Sequence, residues 1–558
     1  MNAVAVLLLG LAAMGAGYFV YARFVAQRVF QLDANFRTPS HELEDGVDYV
    51  PTNKYVLWGH HFTSVAGAAP IVGPAVAVIW GWVPAFLWVV LGTIFFAGIH
   101  DAGALWASVR HKGRSIGSIT GDLVGNRARN LFMVVIFLVL LMVNAVFGVV
   151  IAKLLIGNPS SVVPVWGAII VAVIIGQCIY RRKMNLMTVS IVGVTALYAL
   201  IGIGPYVPLE LPETVAGLPA NAQWIILLFL YAGIASLLPV WVLLQPRDYI
   251  NGLQLCVGLA VIYVSILIAN PAIVAPAFNS SVPASAPPIV PLLFVTIACG
   301  AISGFHGLVS SGTTSKQIDK ETDVRFVGYF GAVGEGCLAL AAILATTAGF
   351  ASIGEWQNLY TNFGQAGVNA FVDGGAALVG AGVGLPEETA ATLLTVMAVL
   401  FAGTTMDTGI RLQRYIMQEW GEMYNIPQLK DVKLSTLVAV GTCLALAFGA
   451  GGLDGSGGML IWPLFGTTNQ LLGGLTLLVL TVILVRLGRP MWYTLLPMVF
   501  LLAMTLYALL VQLKDFYTKG DWFLMSMDLV ILVAAVTVLL ESIGVLREQF
   551  RLQRATSS

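Results

Sequence analysis

Residues 60–82 read HHFTSVAGAAPIVGPAVAVIWGW. The stretch is long and apolar enough to cross a bilayer, yet Gly67, Pro70, Gly73 and Pro74 fall inside it. Proline removes a backbone donor and clashes with the preceding turn, and glycine frees the chain to leave the helix. The sequence therefore predicts two half-helices joined by unwound backbone. Unwound backbone at membrane depth persists only where it packs on protein or lines a cavity, because lipid cannot satisfy its polar groups. Working outward, residues 223–245 form another interrupted span, broken at Gly233 and Pro239. Taking 62–82 as the first helix of a core makes 223–245 the sixth, starting from the opposite side. Two five-helix units of opposite orientation, each opening on a broken helix, are the pattern of an inverted-repeat transporter with its site near the midplane.

The remaining sequence is that of a polytopic helical membrane protein. Of 558 residues, 58% are hydrophobic and 10% charged, with a mean hydropathy of +0.87. A soluble domain carries roughly 25% charged residues. Fifteen apolar spans are predicted, near 3–22, 62–82, 83–108, 131–156, 162–180, 186–204, 223–245, 253–270, 291–313, 326–350, 389–410, 434–450, 459–485, 491–512 and 524–546. Continuous runs of this length are helices rather than barrel strands. With the N-terminus outside, every one of the 28 Lys and Arg residues except Lys153, Lys514 and Lys519 falls on one side. Cationic loops resist translocation, so that side is the cytoplasm, the N-terminus is periplasmic and the C-terminus cytoplasmic.

The expected fold is thus an all-α polytopic membrane protein with about 15 transmembrane helices and a LeuT-like 5+5 inverted-repeat core, with one N-terminal and four C-terminal extra helices. Its expected parts are an extra helix (1–30), a cytoplasmic linker (31–61), a first repeat (62–204), a second repeat (223–416), four further helices (434–546) and a cytoplasmic tail (547–558). Residues 371–385, FVDGGAALVGAGVGL, are too short and Gly-rich to span and are expected as a hairpin or short helix over the outer vestibule, within the 351–388 loop. The first span lacks a charged flank and a cleavage site and reads as a retained helix. Net charge is zero, which argues against nucleic acid as a partner and leaves the lipid bilayer and a small molecule. Cys178, Cys256, Cys299, Cys337 and Cys443 show no metal or disulfide spacing and read as small core residues.

Ionisable residues inside spans are costly and mark function by default. His60 and His61 sit at the entry to the first broken span, and His306 in the 291–313 span. Their readings are proton coupling, zinc ligation, or donation to broken-helix carbonyls. The hydroxyl run Ser310, Ser311, Thr313, Thr314 and Ser315 follows His306. In transporters of the LeuT type, hydroxyls on the eighth core helix face the break in the first and help hold sodium, so these residues are candidates for ion coupling. Glu335, between Gly334 and Gly336, is a lone carboxylate suited to carrying a proton or pairing with an arginine. Asp101 beside His100, Arg247 after the second break, and Asp407 four residues before Arg411 are candidate gating or structural ion-pair residues. Asn144 and Asn469–Gln470 either bond substrate or join helices. Ser64, Ala66 and Gly67 at the first break, with Ala232, Gly233, Ser236 and Trp241 around the second, are the expected substrate contacts.

Four long stretches carry a family resemblance: YVPTNKYVLWGHHFTSVAGAAPIVGPA (49–75), FAGIHDAGALWASVRHKGRSIG (96–117), SGFHGLVSSGTTSKQI (303–318) and IWPLFGTTNQLL (461–472). They resemble the carbon starvation protein A (CstA) family of bacterial inner-membrane transporters. The resemblance implies uptake of peptides or, in some members, of pyruvate with protons. The expected function is secondary active transport of small organic nutrients, most of all peptides, by alternating access. H⁺ or Na⁺ is the coupling ion, with Zn²⁺ at His60, His61 and His306 as a further ligand reading. A pyruvate/H⁺ symporter is the nearest alternative. An intramembrane metalloenzyme or a membrane sensor is a rival of another class. No HExxH and no GxxxxGK[ST] occurs, so neither a zincin nor a nucleotide-driven pump is expected.

Overall fold

The computed structural model describes residues 2–364, 367–449, 452–453 and 457–557, with the side chains of 459 and 549–557 excepted. The side chains of Arg551, Arg554 and Ser557 in the expected tail, and Gln365 and Ala366 of the expected vestibule loop, lie outside what is described. Among the described residues the named elements are helices apart from one hairpin of two-residue strands, Thr214–Val215 with Leu218–Pro219. Among the described residues thirteen helices are long and apolar enough to cross a membrane, or fourteen if the bent pair Lys54–Ala66 and Ala69–Trp80 is one span.

In chain order the spans are α1 (Ala3–Val29), α2a (Lys54–Ala66) with α2b (Ala69–Trp80), α3 (Trp82–Arg110), α4 (Asn126–Gly157), α5 (Pro159–Arg181), α6 (Leu186–Tyr206), α7 (Ala220–Leu237) and α8 (Leu244–Ala269). They continue as α9a (Ile289–Thr296) with α9b (Gly304–Gly312), α10 (Glu321–Ala348), α11 (Glu387–Met423), α12 (Val432–Gly449), α13 (Gly457–Arg486), α14 (Trp492–Lys519) and α15 (Trp522–Ser557). The Asn53 side chain caps α2a by accepting from the Tyr55 amide at 3.0 Å. Gly67 ends it with φ +57°, and α2b leaves at a bend of 44°. The first predicted break is therefore present, at Gly67–Ala68.

The second break is not where residues 223–245 suggested. α7 runs unbroken through Gly233, and residues 238–243 are the turn into α8. The interrupted helix of the second unit is α9, whose two pieces are separated by residues 297–303 with Gly300 at φ +92°. Proline and glycine near the end of a span terminate it as readily as they break it, and Pro239 does the former.

Packing moves the boundaries of the repeats accordingly. α4 packs on α11 and α7 on α12, each helix against its counterpart. The other contacts come in pairs. α2a packs on α8 as α9 packs on α13. α9b packs on α3 as α2b packs on α10. α4 packs on α13 as α11 packs on α8. This pairing makes α2, α3, α4, α7 and α8 one unit and α9–α13 the other. The five-plus-five inverted repeat stands, but the expected limits 62–204 and 223–416 are corrected. The hairpin α5–α6 is inserted into the first unit and packs on α8. α12 and α13 belong to the second unit, so the expected four C-terminal extra helices reduce to α14 and α15.

The loops fall into two sets, as the charge pattern anticipated. At one end the linker binds the α9b–α10 connection: Thr52 N donates to Gln317 O at 3.1 Å, and Ser40 Oγ to Ile318 O at 2.6 Å. At the other, Ala3 N donates to Pro271 O at 3.1 Å and Asn279 Nδ2 to Ile79 O at 2.8 Å. In the 351–388 loop, the expected apolar stretch forms a helix, Gly367–Val383, packed on α2b, α8, α10 and α11.

Gly67→Ala tests the first break. A Cβ there would lie 2.6 Å from the Phe147 ring and 2.8 Å from Thr405 Oγ1, on a backbone that L-residues avoid. Left-handed strain of roughly 1–2 kcal/mol plus overpacking of about 1–3 kcal/mol is expected. The variant's melting temperature in detergent should fall by several degrees; an unchanged value contradicts a tightly packed break.

Candidate functional site

Each break leaves helix-terminal groups unpaired, and each is met by a side chain from the second unit. At α2, Thr405 Oγ1 of α11 donates to Ser64 O at 3.0 Å, and Thr408 Oγ1 donates to Ser64 Oγ at 3.2 Å. At α9, the Asn469 side chain of α13 serves as the cap. Its Oδ1 accepts from Phe305 N at 2.8 Å, and its Nδ2 donates to Ser303 Oγ at 2.9 Å and Cys299 Sγ at 3.3 Å. Gly304 has no room for a side chain, since a Cβ would lie 2.3 Å from Asn469 O and 2.4 Å from Gly473 N.

Two buried ionic networks adjoin these breaks. In the first, Asp101 of α3 accepts from two imidazoles, His100 Nδ1 and His306 Nδ1, each at 2.8 Å. His306 Nε2 faces Glu335 Oε1 of α10 at 3.2 Å. All four side chains are buried, three of them with no exposed surface. Because an ionised carboxylate only accepts, the geometry puts the ring proton of each histidine on Nδ1. His306 then presents Nε2 to Glu335, and a single further proton on either group bridges them. Cys299, His306 and Glu335 also offer one sulfur, nitrogen and oxygen donor within 4.8 Å of one another. Among the described residues this is the group of donors placed to hold a metal, and its chemistry suits zinc.

In the second network, His60 Nδ1 donates to Asp248 Oδ2 at 2.6 Å. Arg247 grips Asp248 Oδ1 through Nε at 2.9 Å and Nη2 at 2.6 Å. Its Nη1 donates to Tyr231 OH at 2.7 Å and to Asp407 Oδ2 of α11. This network joins α2a, α7, α8 and α11 in the interior. Gly59 and Gly252 let α2a and α8 approach: a Cβ on Gly252 would lie 3.2 Å from the Gly59 Cα.

The expected site residues divide. Ser64, Ala66 and Gly67 are buried at the first break. Ala232, Gly233 and Ser236 lie on the continuous α7, and Trp241 packs near Tyr180 and Arg181 of α5, so these four do not form a second unwound site. The histidines do not form the expected zinc set, since His60 binds Asp248, His306 binds Asp101, and His61 Nδ1 meets Thr314 Oγ1 at 3.0 Å. Of the hydroxyl run, only Thr314 is hydrogen-bonded to α2a. Ser311 Oγ donates to Gly307 O and accepts from Ile116 N, Thr313 Oγ1 donates to Val309 O, and Ser310 Oγ has no protein partner. The hydroxyls that face the first break are Thr405 and Thr408. Asp407 pairs with Arg247 rather than with Arg411, whose Nη2 donates instead to Ala235 O at 3.2 Å and to Leu238 O, at the end of α7.

Sequence reasoning missed Asp248, Cys299, Asp48 and the two threonines. The Gly-rich run CGAISG at 299–304 was the available signal for the second break. Nothing local singles out Asp248, because its partner His60 is 188 positions away. Asp48, in the linker, accepts from Tyr415 OH at 2.7 Å and Arg411 Nη1 at 3.4 Å. Burial pushes its carboxyl up, but Lys316 first and then Arg411 and Tyr415 outweigh that and hold it below the usual carboxylate range. It clamps the charged end of α11.

Such a depressed carboxyl contributes stability that is present above its unfolded value of about 4 and lost as pH falls through the lower folded value. Asp48→Asn should therefore melt below the parent at pH 7, with the gap closing as the pH is lowered past 4. A gap that persists unchanged at the lowest accessible pH contradicts an ionised clamp.

The carbon starvation protein CstA model matches residues 2–356 and 349–508. The chain is 34% identical to the peptide transporter CstA of Campylobacter jejuni, over 90% of this chain and 79% of that one. It is 30% identical to the pyruvate/proton symporter BtsT of Escherichia coli, over 90% and 80% respectively. Among solved structures it is similar to the manganese transporter of Eremococcus coleocola, with 14% identity, a TM-score of 0.46, and coverage of 91% of this chain and 99% of that one. With the family model covering most of its length, the chain belongs to the carbon starvation protein CstA family.

Proposed function

We propose that this protein is a proton-coupled secondary transporter that takes up small peptides across the bacterial inner membrane by alternating access, and is not an enzyme. The observation that carries the reading is the sealed chain from Asp101 through His306 to Glu335, which ties α9b to α3 and α10. A proton on His306 makes an imidazolium between two carboxylates. The same proton on Glu335 leaves a neutral contact. The two placements change the charge across a broken helix, the element best able to move, so protonation biases its position. Buried ionisable chains of this type mark proton paths in membranes.

The peptide reading is supported by the relative in Campylobacter jejuni named as a peptide transporter, and by a cavity at the charged end. That cavity, about 300 Å³, lies between the linker, α9b and α11. Its wall carries Lys316 and Arg114 with Glu419 and Glu422, charges of both signs. This suits a zwitterionic peptide, whereas a small monoanion needs only the cationic part. We place the charged end in the cytoplasm, from the positive-inside distribution.

Two measurements test this. In proteoliposomes, a gradient of about one pH unit supplies about 1.4 kcal/mol per proton, enough for roughly tenfold accumulation in a one-to-one symport. Glu335→Gln should abolish dipeptide accumulation while leaving counterflow exchange, and sodium should have no effect. Normal accumulation by the variant excludes Glu335, and accumulation of pyruvate alone assigns the other substrate. For orientation, a cysteine at Ser281 should react with an impermeant maleimide in intact cells and one at Ser118 only after lysis. Labelling of both from outside defeats the placement.

A further inference from the structure

A basic groove of about 230 Å³ opens at the charged end, where α3, α13 and the loop after α13 meet. Its wall includes Arg110, Arg486, Arg489 and His111, with Trp106 and Leu487. Glu321 compensates one charge: Arg110 binds it through Nε and, at 2.7 Å, through Nη2. The other two guanidinium groups have no carboxylate partner among the described ion pairs. Arg486 Nη2 donates to Leu123 O at 2.7 Å and Arg489 Nη1 to Phe30 O, while the Arg489 guanidinium lies 5.5 Å from the Trp106 ring centroid. Backbone carbonyls orient these groups without neutralising them, and each keeps further N–H donors free for an anion. Burial first, and then the like charge of Arg110, lowers the Arg489 guanidinium from its ordinary value, against the opposing charge of Glu321.

We propose that this groove binds the phosphate of an anionic phospholipid headgroup. A lipid is favoured over a soluble phosphate by what surrounds the mouth. Leu487 on the wall is 52% exposed, and Trp492, just beyond, is 58% exposed. Tyr493 packs against Tyr21 and Phe24 of α1, with centroids 6.3 and 5.2 Å apart. Exposed Trp and Tyr gather at headgroup level, so the guanidinium groups sit where a phosphate would lie with its acyl chains along α1 and the exposed face of α14, where Leu496 and Val499 are open. Basic pockets between helices on this side of a membrane bind anionic headgroups. The inference is independent of substrate and coupling ion.

The test uses the full-length protein, delipidated in detergent and then supplied with phosphatidylglycerol, phosphatidylcholine or inorganic phosphate. Native mass spectrometry should show phosphatidylglycerol retained over phosphatidylcholine, and the melting temperature should rise with the former only. Arg486→Gln combined with Arg489→Gln should cut retention several-fold, and Arg486→Lys should keep most of it. If the double variant is unstable without lipid, Arg486→Gln alone serves, since that exposed side chain is hydrogen-bonded only to a carbonyl. Equal retention by the variants, or equal retention of phosphatidylcholine, overturns the proposal. Displacement of the lipid by millimolar phosphate would reassign the groove to a soluble anion.

Discussion

The structure depends on satisfying backbone that a broken helix leaves unpaired inside a membrane. Water is not there to do it, and an orphaned amide or carbonyl costs several kcal/mol. Here the partners are side chains from the second unit, Thr405 on α11 at the first break and Asn469 on α13 at the second. Each cap is also a positional constraint. A half-helix whose terminus must reach one hydroxyl or one carboxamide can occupy few positions, and those positions bring His60, His61 and His306 to their partners. The glycines at 67, 300 and 304 follow from the same demand, because two have left-handed backbone and the third touches α13 backbone.

The buried charges are held by the same geometry. Arg247 is shared between Asp248 and Asp407, and Asp101 between two histidines. Desolvating such groups is expensive, and removing one partner from a buried pair costs about 3–5 kcal/mol. Networks of this kind add little net stability. What they supply is a small number of discrete arrangements, since each donor has few acceptors to choose from. The Arg247 network ties α2a and α8 to α11, and the His306 network ties α9b to α3 and α10. Both therefore connect a broken helix to longer continuous ones, the connection that must be remade when access alternates.

The pseudo-two-fold packing explains why the inserted hairpin α5–α6 is tolerated. It lies on the outside of α8 and leaves the contacts of α4 with α11 and of α7 with α12 undisturbed. It also explains why counting spans from the first break went astray. Five spans on from α2 lies α7, but with two inserted helices the equivalent of α2 is seven spans on, at α9. Both intervals are odd, so charge alternation is satisfied by either and does not distinguish them.

The sequence by itself determined the membrane class, the division of loops into two sets, the first break and the family. These are recorded in local composition, in the parity of charged loops and in long motifs, all of which survive without knowledge of contacts. It also singled out Asp101, Arg247, His60, His306, Glu335 and Asp407, because an ionisable group in an apolar span stands out wherever it lies. Only the tertiary structure decided how they pair. His60 meets Asp248, Arg247 meets Asp407, and His306 meets Asp101 and Glu335 across separations from 29 positions (His306–Glu335) to 205. Nor did composition say which glycines and prolines end a helix and which interrupt one. That depends on whether another helix brings a cap to the broken end, and caps such as Thr405 and Asn469 are set by packing between helices far apart in sequence rather than by neighbours along the chain.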